Sequence, residues 1–213
     1  GHALTWHEIE TAPEGPGVYA WYSRLVISKA DIENVIKRVN EARSKSDYDA
    51  RREVEEALDR FIYSPYREMP YTVALRGQLK PRYSGEVSHE PAKSDSLIER
   101  LAKEPERFRV IADILKTAAP WFTAPLYIGM ADNLRVRLKQ HKTKIVELRD
   151  HQSASAPGDQ VEAGFANQIV ARRFDPTNLF VHISEVNVSA GDREQNDIEN
   201  ILNRINYPIF GRN

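Results

Sequence analysis

Apolar and polar residues change period several times along the chain, and each change marks an element. Val18, Ala20 and Tyr22 alternate with Tyr19 and Trp21, the two-residue period of a strand whose faces differ. From Ser28, a residue suited to capping, Ile32, Val35, Ile36 and Val39 recur at helical spacing to about residue 43, and a second helix is expected over 48–62. Two short strands, 70–76 and 79–86, are predicted on either side of Gly77-Gln78. A helical run over 94–118, broken near Pro105, buries Leu97, Ile98, Leu101, Phe108, Ile111 and Leu115. The apolar strand Leu126 to Ile128 then turns at Gly129 into a helix that Asp132 or Asn133 can cap, with Leu134, Leu138, Ile145 and Leu148 along one face.

Beyond that helix, 151–159 reads as a loop and 161–174 as a helix ending in Arg172-Arg173. Residues 179–186 alternate as a further strand, and Ser189 can cap a last helix that ends before Tyr207-Pro208. Residues 3–16 are a lead-in, with Trp6 as a packing anchor and 13–16 as a turn. No period of roughly 20 to 50 residues recurs, which excludes a solenoid.

Composition narrows the chemistry. With 213 residues, 41% apolar and 29% charged, the chain can bury one good core or a small catalytic domain plus an insertion. The absence of cysteine excludes disulfides, thiolate zinc sites and cysteine nucleophiles together. A formal net charge of −1 means that any polyanion would be met by a local basic patch rather than by a whole-molecule field. No apolar run approaches the ~18 residues of a membrane span and no signal peptide is visible, so a cytoplasmic protein is expected. Gly1-His2 resembles the remnant of a cleaved tag, and no Gly-rich phosphate loop announces a bound nucleotide.

One stretch concentrates reactive side chains. Arg137 and His141 are four apart on the predicted helix, so they are neighbours, and His141 falls within its apolar stripe. With Tyr127 they put a phenol, a guanidinium and an imidazole into one strand-turn-helix unit, which could clamp a phosphate. Taken singly, each has a plainer explanation: Tyr19 and Tyr127 as strand aromatics, His141 as a core histidine, Arg137 as a surface charge.

In order and spacing, however, the set resembles the GIY-YIG nuclease family. Gly15-Pro16-Gly17-Val18-Tyr19 matches its first motif, and Tyr127-Ile128-Gly129, Asn133-Leu134, Arg137 and His141 match its second. The resemblance covers 13–23 and 122–213, about half the chain, and roughly a hundred residues intervene where ordinary members have a short loop. It implies an α+β fold: a small three-stranded antiparallel sheet flanked by helices (1–24 with 122–213), and a mostly helical insertion (25–121) carrying a β-hairpin. It further implies hydrolysis of DNA phosphodiester bonds, with Tyr19 as general base or relay and Tyr127 on the water or a phosphate oxygen. Arg137 would neutralise charge on phosphorus and His141 would orient a tyrosine or exchange a proton.

The same resemblance calls for a carboxylate on the last helix, holding Mg²⁺ or Mn²⁺. A single carboxylate suits such an ion, because it keeps most of its water. Glu199 lies nine residues before Pro208, as in the family, although Gly211 stands where an Asn is usual and Asn213 comes two residues late. Glu194 is the rival, because Ile198, Ile201 and Ile205 share its helical face. Arg135, Lys139, Lys142, Lys144, Arg172 and Arg173 form the expected basic patch for DNA. In the insertion, Arg76, Lys80 and Arg82 interleave with Tyr71 and Tyr83 on the hairpin, which could lie against a nucleic-acid backbone or cover a sheet edge. Arg51, Arg52 and Arg60 lie among acids and read as a solvated face. The insertion would help grip substrate or build a homodimer, and the compact plan is that of a restriction or defence enzyme. The alternatives are a catalytically silent nucleic-acid-binding module and a protein-interaction scaffold built on the insertion.

Overall fold

The computed structural model describes residues 1–68, 70–75, 83–88, 90–152, 164–186 and 192–210, with the backbone alone at 71, 75, 152 and 192–196. The chain is α+β and divides into two compact units, 1–32 with 107–213, and 33–106.

The first unit is built on a four-stranded antiparallel sheet. Its strands are β1 (His2–Thr5), β2 (Gly17–Ser23), β5 (Tyr127–Ala131) and β6 (Leu179–Glu185), in the order β1-β6-β2-β5. In β2, buried and half-buried residues alternate strictly, as the sequence predicts, and Tyr19 and Trp21 fall on the fully buried side. The fourth strand corrects the expectation of three. His2, read with Gly1 as a tag remnant, and residues 3–5, read as lead-in, pair with β6 in register His2↔Ile183 to Thr5↔Phe180. Four residues are too few to show a period, and what recruits them is the otherwise open edge of β6. Trp6, just beyond, is buried with its ring 6.4 Å from that of Trp21.

Helix α5 (Leu134–Gln152) packs on β2 and β5. Leu134, Leu138 and Ile145 are fully buried, and each such side chain contributes about 1.5–3 kcal/mol. Its start is held from two directions. The Asn133 side chain accepts from the Val136 N–H, while the Leu134 and Arg135 N–H groups donate to the Gly15 and Pro13 carbonyls. The turn at 13–16 therefore fixes the helix beside the strand it precedes.

Helix α4 (Arg107–Phe122) runs past Pro120, beyond the expected end, and α6 (Phe165–Ala171) stops short of the expected 174. Arg173 is the reason for the early stop. Its φ of 58° puts it in the left-handed region, and the Arg173 and Phe174 N–H groups donate back to Val170 and Ile169, a Schellman ending built without glycine. The start of the predicted helix, 161–163, lies outside the described residues. After the last helix, α7 (Asp192–Asn206), the chain returns to the sheet: Ile209 and Phe210 donate to the carbonyls of Pro125 and Leu126.

The second unit holds most of α1 (Lys29–Arg43), then α2 (Asp47–Leu58) continued by a wide turn to Tyr63, the hairpin β3 (Tyr71–Leu75) and β4 (Tyr83–Val87), and α3 (Asp95–Lys103). Ser28, Ser46 and Ser94 each accept a backbone N–H at a helix start. Arg51 and Arg52 pair with Asp95 and Glu56, in keeping with a solvated face. The hairpin forms a sheet of its own whose described side chains are all exposed, while Arg76, Lys80 and Arg82 lie outside the described residues. Among the described residues no helix is long and apolar enough to cross a membrane.

Candidate active site

Antiparallel pairing of β2 with β5 sets Tyr19 opposite Gly129 and Trp21 opposite Tyr127, so both tyrosines leave the sheet on the same side. A Cβ at Gly129 would stand 2.6 Å from the Tyr19 hydroxyl oxygen and 2.8 Å from Tyr127 Cε1. The missing side chain is thus the space in which the Tyr19 phenol lies. Gly17 does the same for the helix: a Cβ there would stand 2.6 Å from both Leu134 Cδ1 and the Ser184 carbonyl. Glycine in each motif lets the first turn of α5 and the two strands close on one another.

From α5, His141 and Arg137 reach the same phenol. The Tyr19 hydroxyl lies 2.9 Å from His141 Nε2, and Arg137 Nε donates to the Tyr19 oxygen at 3.4 Å. The Tyr127 ring lies 6.1 Å from that of Tyr19, and its phenol enters the electrostatics of both Tyr19 and Arg137. A hydroxyl has one proton and a guanidinium can only donate. The Tyr19 oxygen therefore accepts from Arg137, and its proton is available to His141 Nε2 when the imidazole proton is on Nδ1.

Burial sets the electrostatics. The His141 ring, 8% exposed, packs edge-on against Phe165 and close to Trp21, with centroids 5.1 Å and 6.4 Å away. Burial first, and the Arg137 charge second, lower its pKa to about 3, so the imidazole is neutral in ordinary buffers. Burial, and then the nearby Tyr127, raise Tyr19 well above the usual phenol value, against the pull of Arg137. Tyr19 is not a base by itself; any proton it takes up must have somewhere to go.

Glu199 approaches from α7. β5 is an edge strand, and the Met130 N–H on that edge, with the Arg137 charge, favours the ionised Glu199 carboxylate. Burial outweighs both and raises its pKa. The helical-phase argument for Glu194 fails on its own terms: Ile201 and Ile205 are 58% and 67% exposed, whereas Asn203, four residues from Glu199, is buried and donates to the Glu199 carbonyl. The Glu194 side chain lies outside the described residues, as do Gly211 and Asn213. Among the described residues no three His, Asp or Glu side chains gather as a metal-binding group. What the site offers a cation is one half-buried carboxylate.

The expected basic patch is largely matched by acids along α5. Arg135 donates to Ala12 and pairs with Glu14 at 2.6 Å; Lys139 pairs with Glu10 at 2.6 Å; Lys142 lies 3.7 Å from Glu10 and over the Trp6 ring. These three charges are spent against the segment before β2. Lys144 lines one groove with Arg137, as does Lys139, and is not among the ion pairs of the described residues. Arg172 rests on the Phe210 ring, 5.0 Å from its centroid, and donates to Gln168, next to the left-handed Arg173.

Three members of the site carried no motif. Gln140 accepts from Arg137 Nη1 at 3.3 Å, and its place one turn on could have been found from helical spacing. Phe165, at the start of α6, walls His141, and the Met130 N–H is a backbone group; neither leaves a signal in the sequence. Comparisons of the chain with protein-family models, curated proteins and solved structures found no match.

Proposed function

We propose that the chain is a metal-dependent endonuclease that hydrolyses DNA phosphodiester bonds, a GIY-YIG nuclease with an insertion between its two motif strands. The observation that carries this reading is the Tyr19 hydroxyl, held between a neutral imidazole acceptor and a guanidinium donor by residues more than a hundred positions away.

Hydrolysis needs a positioned water, a route for its proton, and positive charge against the pentavalent phosphorus. Tyr19 and Tyr127 supply hydroxyls that can orient the water; as Tyr19 takes the water's proton its own passes to His141 Nε2, and the same relay run backwards returns a proton to the leaving oxygen. Arg137 neutralises the developing charge through a fixed fork of donors. Substrate itself assists, because a phosphate on Arg137 cancels part of the field that suppresses His141, making the imidazole more basic when there is work for it. Glu199 would hold Mg²⁺ or Mn²⁺. When bound, the ion would add Lewis acidity at the phosphate and lower the pKa of its water.

Nicking of supercoiled plasmid with Mg²⁺ or Mn²⁺ tests the reading. Wild type should cut, while Arg137→Ala and Tyr19→Phe should lose about 10²–10³-fold in rate yet still bind DNA. Binding without cleavage by wild type over a broad panel of DNA substrates would leave a silent binding module. Absence of any salt-sensitive DNA affinity would leave a protein scaffold.

A further inference from the structure

A groove of about 700 Å³ runs along α5 between Arg137 and Glu147, closed on its other side by Gly164–Asn167 at the start of α6. Arg137 and His141 line it, so it opens directly from the site described above. Lys144 projects into the same groove seven residues beyond Arg137, which is ~10 Å along the axis and nearly the same azimuth. Its ammonium also differs from its neighbours'. Arg135, Lys139 and Lys142 are matched by Glu14 and Glu10, whereas Lys144 has no hydrogen bond or ion pair among the described residues. Gln140 lies between and is already engaged by Arg137, and Glu147 ends the row with a negative charge.

We propose that Lys144 forms a second phosphate subsite, holding a phosphate that flanks the scissile one on the same strand of duplex DNA. The inference rests on the nuclease reading and adds to it a direction: the cut strand leaves Arg137 along α5 and its phosphate contacts stop before Glu147. Lys144 acts as a positioning residue. It touches no reacting atom, and by fixing the neighbouring phosphate it sets the scissile one against Arg137.

The test is duplex binding across 50–200 mM salt with Ca²⁺ in place of Mg²⁺, together with steady-state nicking, for wild type, Lys144→Ala, Lys144→Arg and Glu147→Gln. Lys144→Ala should flatten the slope of log K against log salt by about 0.9, one phosphate contact, and Lys144→Arg should restore it. KM should rise about three- to tenfold in Lys144→Ala while kcat changes less than twofold, and Glu147→Gln should lower KM. A neutral methylphosphonate at one position within three nucleotides of the cut should weaken wild type and leave Lys144→Ala unaffected. An unchanged slope in Lys144→Ala, or a fall in kcat at constant KM, overturns the subsite alone if wild type binds and nicks. A wild type without salt-dependent DNA affinity overturns the nuclease reading and the subsite together.

Discussion

Acidification from pH 6.5 to 5 should destabilise the fold chiefly through His141. Its pKa is about 3 in the folded chain, against 6.5 for an unperturbed histidine, because burial and then Arg137 disfavour the cation. Between those values the unfolded chain binds a proton that the folded chain refuses, so stability rises with pH across the window and is lost as pH falls below 6.5. Each pH unit is worth at most about 1.4 kcal/mol, which gives about 2 kcal/mol lost by pH 5 and a ceiling near 5 kcal/mol at pH 3. The choice of window isolates this group. Carboxylates held low by partners, such as Glu10 beside Lys139, give up their contribution only as pH falls below 4.5. Glu199, whose pKa is raised, works in the opposite sense and gains stability on protonation. His2, His7, His151 and His182 are exposed, and His89 lies outside the described residues. Urea unfolding from pH 7.5 to 5, in a Glu199→Gln background, should show the loss with His141 present and a flat profile in His141→Gln. Parallel profiles, or an imidazole signal in the folded protein assigned to His141 that titrates near 6.5, would refute the reasoning.

Gly129→Ala should cost about 1–3 kcal/mol by denaturant unfolding and abolish nicking, since its methyl needs the place of the Tyr19 phenol; a stable, active variant would mean the strands do not close as described. Glu10→Gln should steepen the salt dependence of DNA binding by up to about two phosphate contacts, because it releases Lys139 and Lys142; fluorescence anisotropy over a salt series reads this directly. Glu199→Gln should lose calorimetric Mn²⁺ binding and about 10²-fold or more in nicking rate, whereas Glu194→Gln should retain both.

What the sequence made legible was the part written in short-range periods. Alternation across Val18–Tyr22 separates the two faces of β2, though not which of them is buried, and the stripe Leu134, Leu138, Ile145 and Leu148, with His141 inside it, predicts the buried side of α5, where Leu148 is only half-buried. Where period and burial part company, reading fails. In α7 the isoleucines at 201 and 205 are displayed to solvent, and the polar pair Glu199 and Asn203 faces inward, an inversion that no moment argument anticipates. The fourth strand is too short to have a period. The basic patch shows a different limit: charge is visible in a sequence but its neutralisation is not, because Glu10 and Glu14 meet α5 only through the turn at 13–16. The motif glycines were found by family likeness, and their reason, the volume of a phenol and of Leu134, exists only in three dimensions.

The pairing of β2 with β5 has a temporal side. These strands are neighbours in the sheet, yet about a hundred residues separate them in the chain, and such distant closures are among the slower events of folding. During synthesis, a polypeptide that has emerged only as far as the insertion carries the Tyr19 phenol but no guanidinium or imidazole to set it to work. On the proposed reading, the cell never meets a half-made blade: cutting power arrives only when the last-made third of the chain has folded back onto the first.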